Sequence, residues 1–236
     1  MTPVPVSRID SEAAGRVTAA GMTRVHRQAA RRRVLLRLER ALWADGVERV
    51  AGVDEVGVGP LAGPLVAAAV ILPRECPVRG IDDSKKLSPA ARATLAAAIH
   101  GVALGIGIGI VEVEDVDRLN TYRAALEAMR RAVCALPVPA DRLLVDARTI
   151  PGVPTPQMAL IRGDGRSYSI AAASIVAKVA RDAIMTELDG RYPAYGFARH
   201  MGYGTAEHLD ALVRFGPSPV HRRSFLPVAQ ARLPGL

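Results

Sequence analysis

Asp54, Asp146 and Asp164 each end an apolar segment or closely follow one, and Glu55 sits beside the first of them. Carboxylates gathered at the ends of core strands repel one another unless a cation lies between them. Oxygen donors with no His or Cys cluster favour a hard divalent ion, Mg2+ or Mn2+, over zinc. A lone Asp in such a place is ordinarily a turn or cap residue, whereas four acids on one pattern read as a metal site. Asp54 and Glu55 stand directly before the Gly/Pro-rich run Gly57-Val58-Gly59-Pro60-Leu61-Ala62-Gly63-Pro64. Successive side chains of a regular strand point to opposite faces. The two acids can therefore share a site only where the backbone leaves strand geometry, and Gly57 and Gly59 offer such a place.

The elements that must position these acids follow from the apolar runs. Residues 47–53 read as a strand leading into Asp54, and residues 65–72 as a second, wholly apolar strand. Residues 105–111 alternate Gly with large apolar residues, which predicts a strand with one face packed closely against something. Residues 143–146 form a buried strand ending in Asp146, and residues 158–161 a short apolar segment before Arg162-Gly163-Asp164. Helices are expected over residues 22–43, from Pro89 to about residue 100 behind a Ser88 cap, over residues 115–136, and over residues 169–188. The last is rich in small residues that allow close approach to a sheet. The arginines of the first, Arg31, Arg32, Arg33 and Arg37, read as a solvated face. Residues 1–21 lack periodicity and read as a mobile tail, leaving residues 22–236 as one domain that ends in a mixed helix-and-loop region.

Half of the 236 residues are hydrophobic but only 4% are aromatic, so the core must be built from Ala, Val, Leu and Ile, which suits α/β packing. The net charge of +8 favours a polyanionic partner, although a generally basic surface would carry the same charge. Cys76 and Cys134 lack the spacing of a metal site or a disulfide framework, which points to a reducing cytoplasm. Gly63 and Pro64 interrupt the longest apolar stretch short of the ~18 residues of a membrane span. No secretory signal is expected, and the protein is expected to be soluble, monomeric and free of membrane contact.

The run Gly52-Val53-Asp54-Glu55-Val56-Gly57, with Gly59-Pro60-Leu61-Ala62-Gly63-Pro64, resembles the opening motif of bacterial ribonuclease HII. The likeness continues in order through Asp83-Ser84-Lys85-Lys86-Leu87-Ser88, Leu119-Asn120, Val145-Asp146, Gly163-Asp164, Ser169-Ile170-Ala171-Ala172-Ala173-Ser174-Ile175-Val176-Ala177-Lys178-Val179, Gly202-Tyr203-Gly204-Thr205 and His221-Arg222-Arg223-Ser224-Phe225. It implies an α/β, ribonuclease-H-like mixed sheet flanked by helices, with a helical carboxyl-terminal region. It also implies endonucleolytic cleavage on the 5′ side of a ribonucleotide, in RNA–DNA hybrids and in duplex DNA holding single ribonucleotides, leaving 5′-phosphomonoester ends. Carried over by position, Asp54, Glu55, Asp146 and Asp164 would be the catalytic carboxylates, with Asp54, Glu55 and Asp146 holding Mg2+ or Mn2+. Asp182 is the rival for the fourth place, and Asp164 is preferred because it follows Gly163. Gly57, Val58, Gly59 and Tyr203 would recognise the ribonucleotide, while Ser84, Lys85, Lys178 and the basic carboxyl-terminal segment would contact the duplex.

One position departs from the family pattern, which usually has Arg where this chain has Val58. Recognition survives if the turn works through its backbone and weakens if the arginine side chain is needed. Two other readings remain: a ribonuclease HIII-like enzyme, for whose added amino-terminal domain the residues before Val50 are too few, and a non-catalytic nucleic-acid-binding relative, against which the four carboxylates argue.

Overall fold

The computed structural model describes residues 19–231, with side chains from residue 26 onward. The expected tail over residues 1–21 lies outside the described residues as far as residue 18, and residues 19–21 open the first helix. In chain order the elements are α1 (Ala19–Leu35), α2 (Arg37–Ala44), β1 (Val50–Val56), β2 (Leu65–Ile71), α3 (Pro89–Val102), β3 (Gly105–Val111), α4 (Val113–Leu119), α5 (Thr121–Cys134), β4 (Arg142–Asp146) and β5 (Gln157–Leu160). The chain then runs through α6 (Tyr168–Arg191), α7 (Phe197–His200), α8 (Ala206–Phe215) and α9 (Leu226–Gln230). No helix among the described residues is long and apolar enough to cross a membrane.

The sheet is mixed, in the order β3-β2-β1-β4-β5. β1, β2 and β3 form an antiparallel meander, while β4 and β5 run parallel to β1. Every residue of β2 is buried, as its apolar sequence requires of a strand covered on both faces. One face packs on α3 and α6 through Ala68, Val70, Ala171, Ala172 and Ile175. The opposite face packs on α5 through Val53, Ala67, Ala69, Ala128 and Met129. The Gly alternation of β3 has the expected cause: a Cβ at Gly107 or Gly109 would run into the backbone of α5 at Ala132 or Ala128.

Three expected elements differ in extent. β1 does not stop before the acids but carries both inside it. The helix expected over residues 22–43 is two, joined at Leu36, across which a bond from the Arg40 N–H to the Leu36 carbonyl (3.0 Å) still runs. The helix expected over residues 115–136 also divides, because Asn120 takes a left-handed φ of 69° and its side chain caps α5 by accepting the Arg123 N–H at 3.1 Å.

The close approach that fixes the sheet against α6 lies at Gly52. A Cβ there would overlap the Ser169 carbonyl group and the Ile170 nitrogen, so backbone rather than a flexible side chain would have to move. Gly52→Ala is therefore expected to cost at least ~2 kcal/mol, the middle of the range for overpacking a core or more. Urea unfolding should show a lower midpoint with an unchanged slope.

Candidate metal centre and the turn beside it

The acids converge because one ladder ends while the other continues. β1 stays paired with β2 through Asp54↔Ala68, Glu55↔Ala67 and Val56↔Val66. Its pairing with β4 stops at Val53↔Val145, one residue short of both Asp54 and Asp146. Beside that end, Asp54, Glu55 and Asp146 each place a carboxylate oxygen within 4.8 Å of the others. The expected backbone departure at Gly57–Gly59 is thus not what unites Asp54 with Glu55.

Each acid is held. The Asp54 carboxylate accepts the Glu55 N–H at 2.8 Å, and Asp146 accepts the Gly163 N–H at 2.6 Å. Glu55 accepts from Arg148 at 3.1 Å through one oxygen, while its other oxygen, Oε2, is buried with no hydrogen-bond partner. Burial pushes the Asp54 pKa well above the ordinary carboxylate value, and the charges of Glu55 and Asp146 push it further. Burial also raises Glu55, against the pull of Arg148, and raises Asp146, against the Gly163 amide. Three crowded carboxylates with an unsatisfied buried oxygen fit a divalent cation, whose charge would relieve the repulsion and whose coordination would occupy Oε2.

Asp164, in the 3-10 turn Gly163–Gly165, stands beside Asp146 and raises its proton affinity, but lies outside the 4.8 Å set. Its Oδ2 is 3.7 Å from Nζ of Lys85, a side chain 85% exposed. Asp182, the rival for the fourth place, is engaged with Lys178 at 2.6 Å and Arg92 at 3.9 Å. Ser84 does not face solvent. Its buried hydroxyl lies 2.8 Å from that of Ser174, a neighbour that pulls the Asp54 pKa down against burial, so Ser84 stands behind the site rather than in front of it. Sequence reasoning missed Arg148, whose only signal was its place two residues after Asp146. It also missed Glu39 of α2, fully buried and accepting from the Ser167 hydroxyl (2.6 Å) and the Ser169 N–H (2.9 Å) where α6 begins.

The turn after β1 meets Tyr203 as expected: a Cβ at Gly59 would lie 3.7 Å from the ring, with nothing else within 4 Å. Tyr203 is 45% exposed. Gly57 has φ +93° and no room for a side chain against Arg181. Val58 is part-buried against the apolar layer under the sheet. Within the basic carboxyl-terminal segment Arg223 is exposed, but Arg222 is 0% exposed and cannot meet a phosphate. It lies beside a histidine relay. The Ser218 N–H donates to His221 Nδ1, so His221 Nε2 carries the proton and donates to His208 Nε2 (2.9 Å), and His208 Nδ1 donates to the Tyr203 carbonyl (2.9 Å).

A mixed sheet that gathers acids from β1 and β4 at the end of a shared ladder, beside an exposed lysine and a glycine turn, forms a site that could hold a divalent cation next to an anionic ligand. Comparison with known proteins narrows this. Residues 51–228 match the family model described as Ribonuclease HII, and the chain belongs to that family. It is 55% identical over 216 residues to the ribonuclease HII of Geobacillus kaustophilus, covering 89% of this chain and 83% of that one. It is 49% identical to the ribonuclease HII of Myxococcus xanthus, covering 98% of this chain and 82% of the relative. The crystal structure of ribonuclease H2 from Pyrococcus horikoshii shares the fold, with a TM-score of 0.66 and 24% identity over 78% of this chain and 96% of that one. The protein is a hydrolytic endonuclease of the ribonuclease H type, acting on RNA–DNA hybrids.

The like-charge crowding makes a stability prediction with a definite sign. The Asp54 pKa is raised in the fold, so its ionised form is disfavoured there and removing that charge stabilises the protein at neutral pH. In metal-free buffer Asp54→Asn is expected to melt above the unsubstituted protein, by ~2–4 °C for each kcal/mol relieved. The gain should shrink as the pH falls and Asp54 becomes protonated. Added Mn2+ should raise the melting temperature of the unsubstituted protein and leave that of the variant nearly unmoved.

Proposed function

We propose that this protein cleaves on the 5′ side of ribonucleotides, both in RNA–DNA hybrids and in duplex DNA holding a single ribonucleotide, and leaves 5′-phosphomonoester ends. The observation that carries this reading is the convergence of Asp54, Glu55 and Asp146 within 4.8 Å with Glu55 Oε2 unpartnered. These three would hold Mg2+ or Mn2+, with Asp164 completing the acidic set. When bound, such an ion supplies activation of the attacking water and neutralises charge on the scissile phosphate and the leaving oxygen.

The chain's own residues do the rest. Asp146, fixed by the Gly163 amide, and Asp54, fixed in a paired strand, present their oxygens without the freedom to turn away. Arg148 keeps one oxygen of Glu55 occupied and directs the other toward its neighbours. Lys85, exposed beside Asp164, is placed to meet a phosphate of the duplex, a contact that positions without reading sequence. Lys178 could do so only by leaving Asp182. Gly57, Val58 and Gly59 would approach the ribose 2′-hydroxyl, with Tyr203 against the neighbouring sugar or base. Because the Val58 side chain packs into the apolar layer, the turn would work through its backbone. Two unpaired cysteines, one of them exposed, fit a reducing cytoplasm.

A duplex bearing one ribonucleotide tests the reading. Cleavage should require Mg2+ or Mn2+ and stop in a chelator; no cleavage with either ion would leave only nucleic-acid binding. Asp146→Asn should lower turnover by the order of 10³-fold or more while duplex affinity stays within about threefold. Substantial residual turnover would remove Asp146 from the reaction. Gly59→Ala adds a methyl group that the protein itself accommodates, so it should leave the melting temperature unchanged and weaken the preference for a ribonucleotide-bearing duplex over an all-deoxy one by about tenfold.

A further inference from the structure

Arg222 and Arg181 are the two largest fully buried side chains, and neither forms an ion pair with a carboxylate among the described residues. Their guanidinium groups are solvated by backbone carbonyls. Arg181 donates to Pro64 (3.0 Å), Ala62 (3.1 Å) and Met201 (3.0 Å). Arg222 donates to Gly57 (2.6 Å), Val58 (3.1 Å) and Gly63 (2.9 Å from Nη2 and 3.1 Å from Nε). A buried charge without a counter-charge is costly even when hydrogen-bonded. Burial accordingly lowers the Arg222 pKa, with the Arg181 charge adding to the effect. A merely structural tie between two loops could be made by a neutral side chain.

The consequence of these bonds lies on the other side of two peptide planes. All peptide bonds of the described residues are trans, so each N–H points away from the carbonyl of its own plane. With the Gly57 and Val58 carbonyls both drawn inward onto Arg222, the N–H groups of Val58 and Gly59 must face outward. Neither has an acceptor among the described residues. Gly59 is exposed beside Tyr203, so the outward side is open to a ligand. The positive charge on the carbonyl side also polarises both peptide groups and makes their N–H groups stronger donors.

We propose that Arg222 is a positioning residue for ribose selection: it aims the N–H groups of Val58 and Gly59 at the oxygen of the 2′-hydroxyl. This rests on the reading of the turn as the ribose sensor. The rest of the loop is held independently, through Arg181, through the Leu61 N–H on the Gly202 carbonyl (2.8 Å) and through the Gly63 N–H on the Val220 carbonyl (2.9 Å). Arg222 can therefore be altered at the turn without releasing the whole segment.

The test compares affinities for a duplex with one ribonucleotide and for its all-deoxy counterpart, in Ca2+ to prevent turnover. Arg222→Lys keeps the charge but has one nitrogen, which cannot span both turn carbonyls and Gly63. It is expected to lose about tenfold of the ribonucleotide preference while all-deoxy affinity stays within about twofold. An unchanged preference in the folded variant, or an equal loss on both duplexes, overturns the inference. Gly59→Ala separates the two claims. If it too keeps full preference, the turn is not the sensor and both fall; if it loses preference while Arg222→Lys keeps it, only the role of Arg222 falls. Should Arg222→Lys fail to fold, the unsubstituted protein decides: the Nη protons of Arg222 should be individually resolved by NMR and shift on adding the ribonucleotide duplex but not the all-deoxy one. Averaged Nη signals, or the same shift with both duplexes, would overturn it.

Discussion

Carboxylate oxygens within 4.8 Å of one another, in surroundings that raise the proton affinity of Asp54, Glu55 and Asp146 together, would move apart if the chain let them. Much of the architecture can be understood as preventing that. Asp54 is fixed by a strand paired with β2 across the acids and with β4 up to the residue before them. Asp146 is fixed by a backbone amide from the turn that also carries Asp164. That turn is set by the start of α6, which rests on the bare backbone of Gly52 and is anchored from α2 by the buried carboxylate of Glu39. Helix α2 thus belongs to the machinery that holds the acids, although it contributes no acid to the cluster.

How much of this was legible depends on whether the deciding contact is local. The acids could be read because each ends or closely follows an apolar run, and the three expected to hold metal are the three that converge. The cause of convergence could not be read, because it is the end of a ladder between residues about ninety apart in the chain. The Gly alternation of β3 and the small-residue face of α6 report close packing within single elements, and both fell where expected. The break at Asn120 carried a signal, since Asn both tolerates a left-handed conformation and caps helices, but the apolar periodicity continues across it and masked the stop. The join at Leu36 carried none. Ser84 and Lys178 show the limit of motif reading: the residue types suit a duplex contact, yet one hydroxyl is turned to Ser174 and one ammonium is taken by Asp182.

Positive charge is deployed here in two physical forms. Lys85 is an exposed ammonium on a long stem, free to follow a phosphate. Arg222 is a planar donor array with no freedom, its nitrogens spent on carbonyls. A carboxylate partner would have made Arg222 cheaper to bury, but it would also have cancelled the field that its carbonyl ligands feel. Which arginine takes which form is not a property of the sequence His221-Arg222-Arg223. The antiparallel bridge Ala62↔His221 and the Arg222 N–H on the Leu61 carbonyl (2.8 Å) set the local register, and a turn closed by the Phe225 N–H on the Arg222 carbonyl (3.1 Å) follows at once. Arg222 is thereby directed under the turn, while Arg223 stays exposed and its backbone N–H is held by Asp117 at 2.7 Å. Without Arg222 at that place in the register, the Gly57 and Val58 carbonyls would lose the partner that holds them inward.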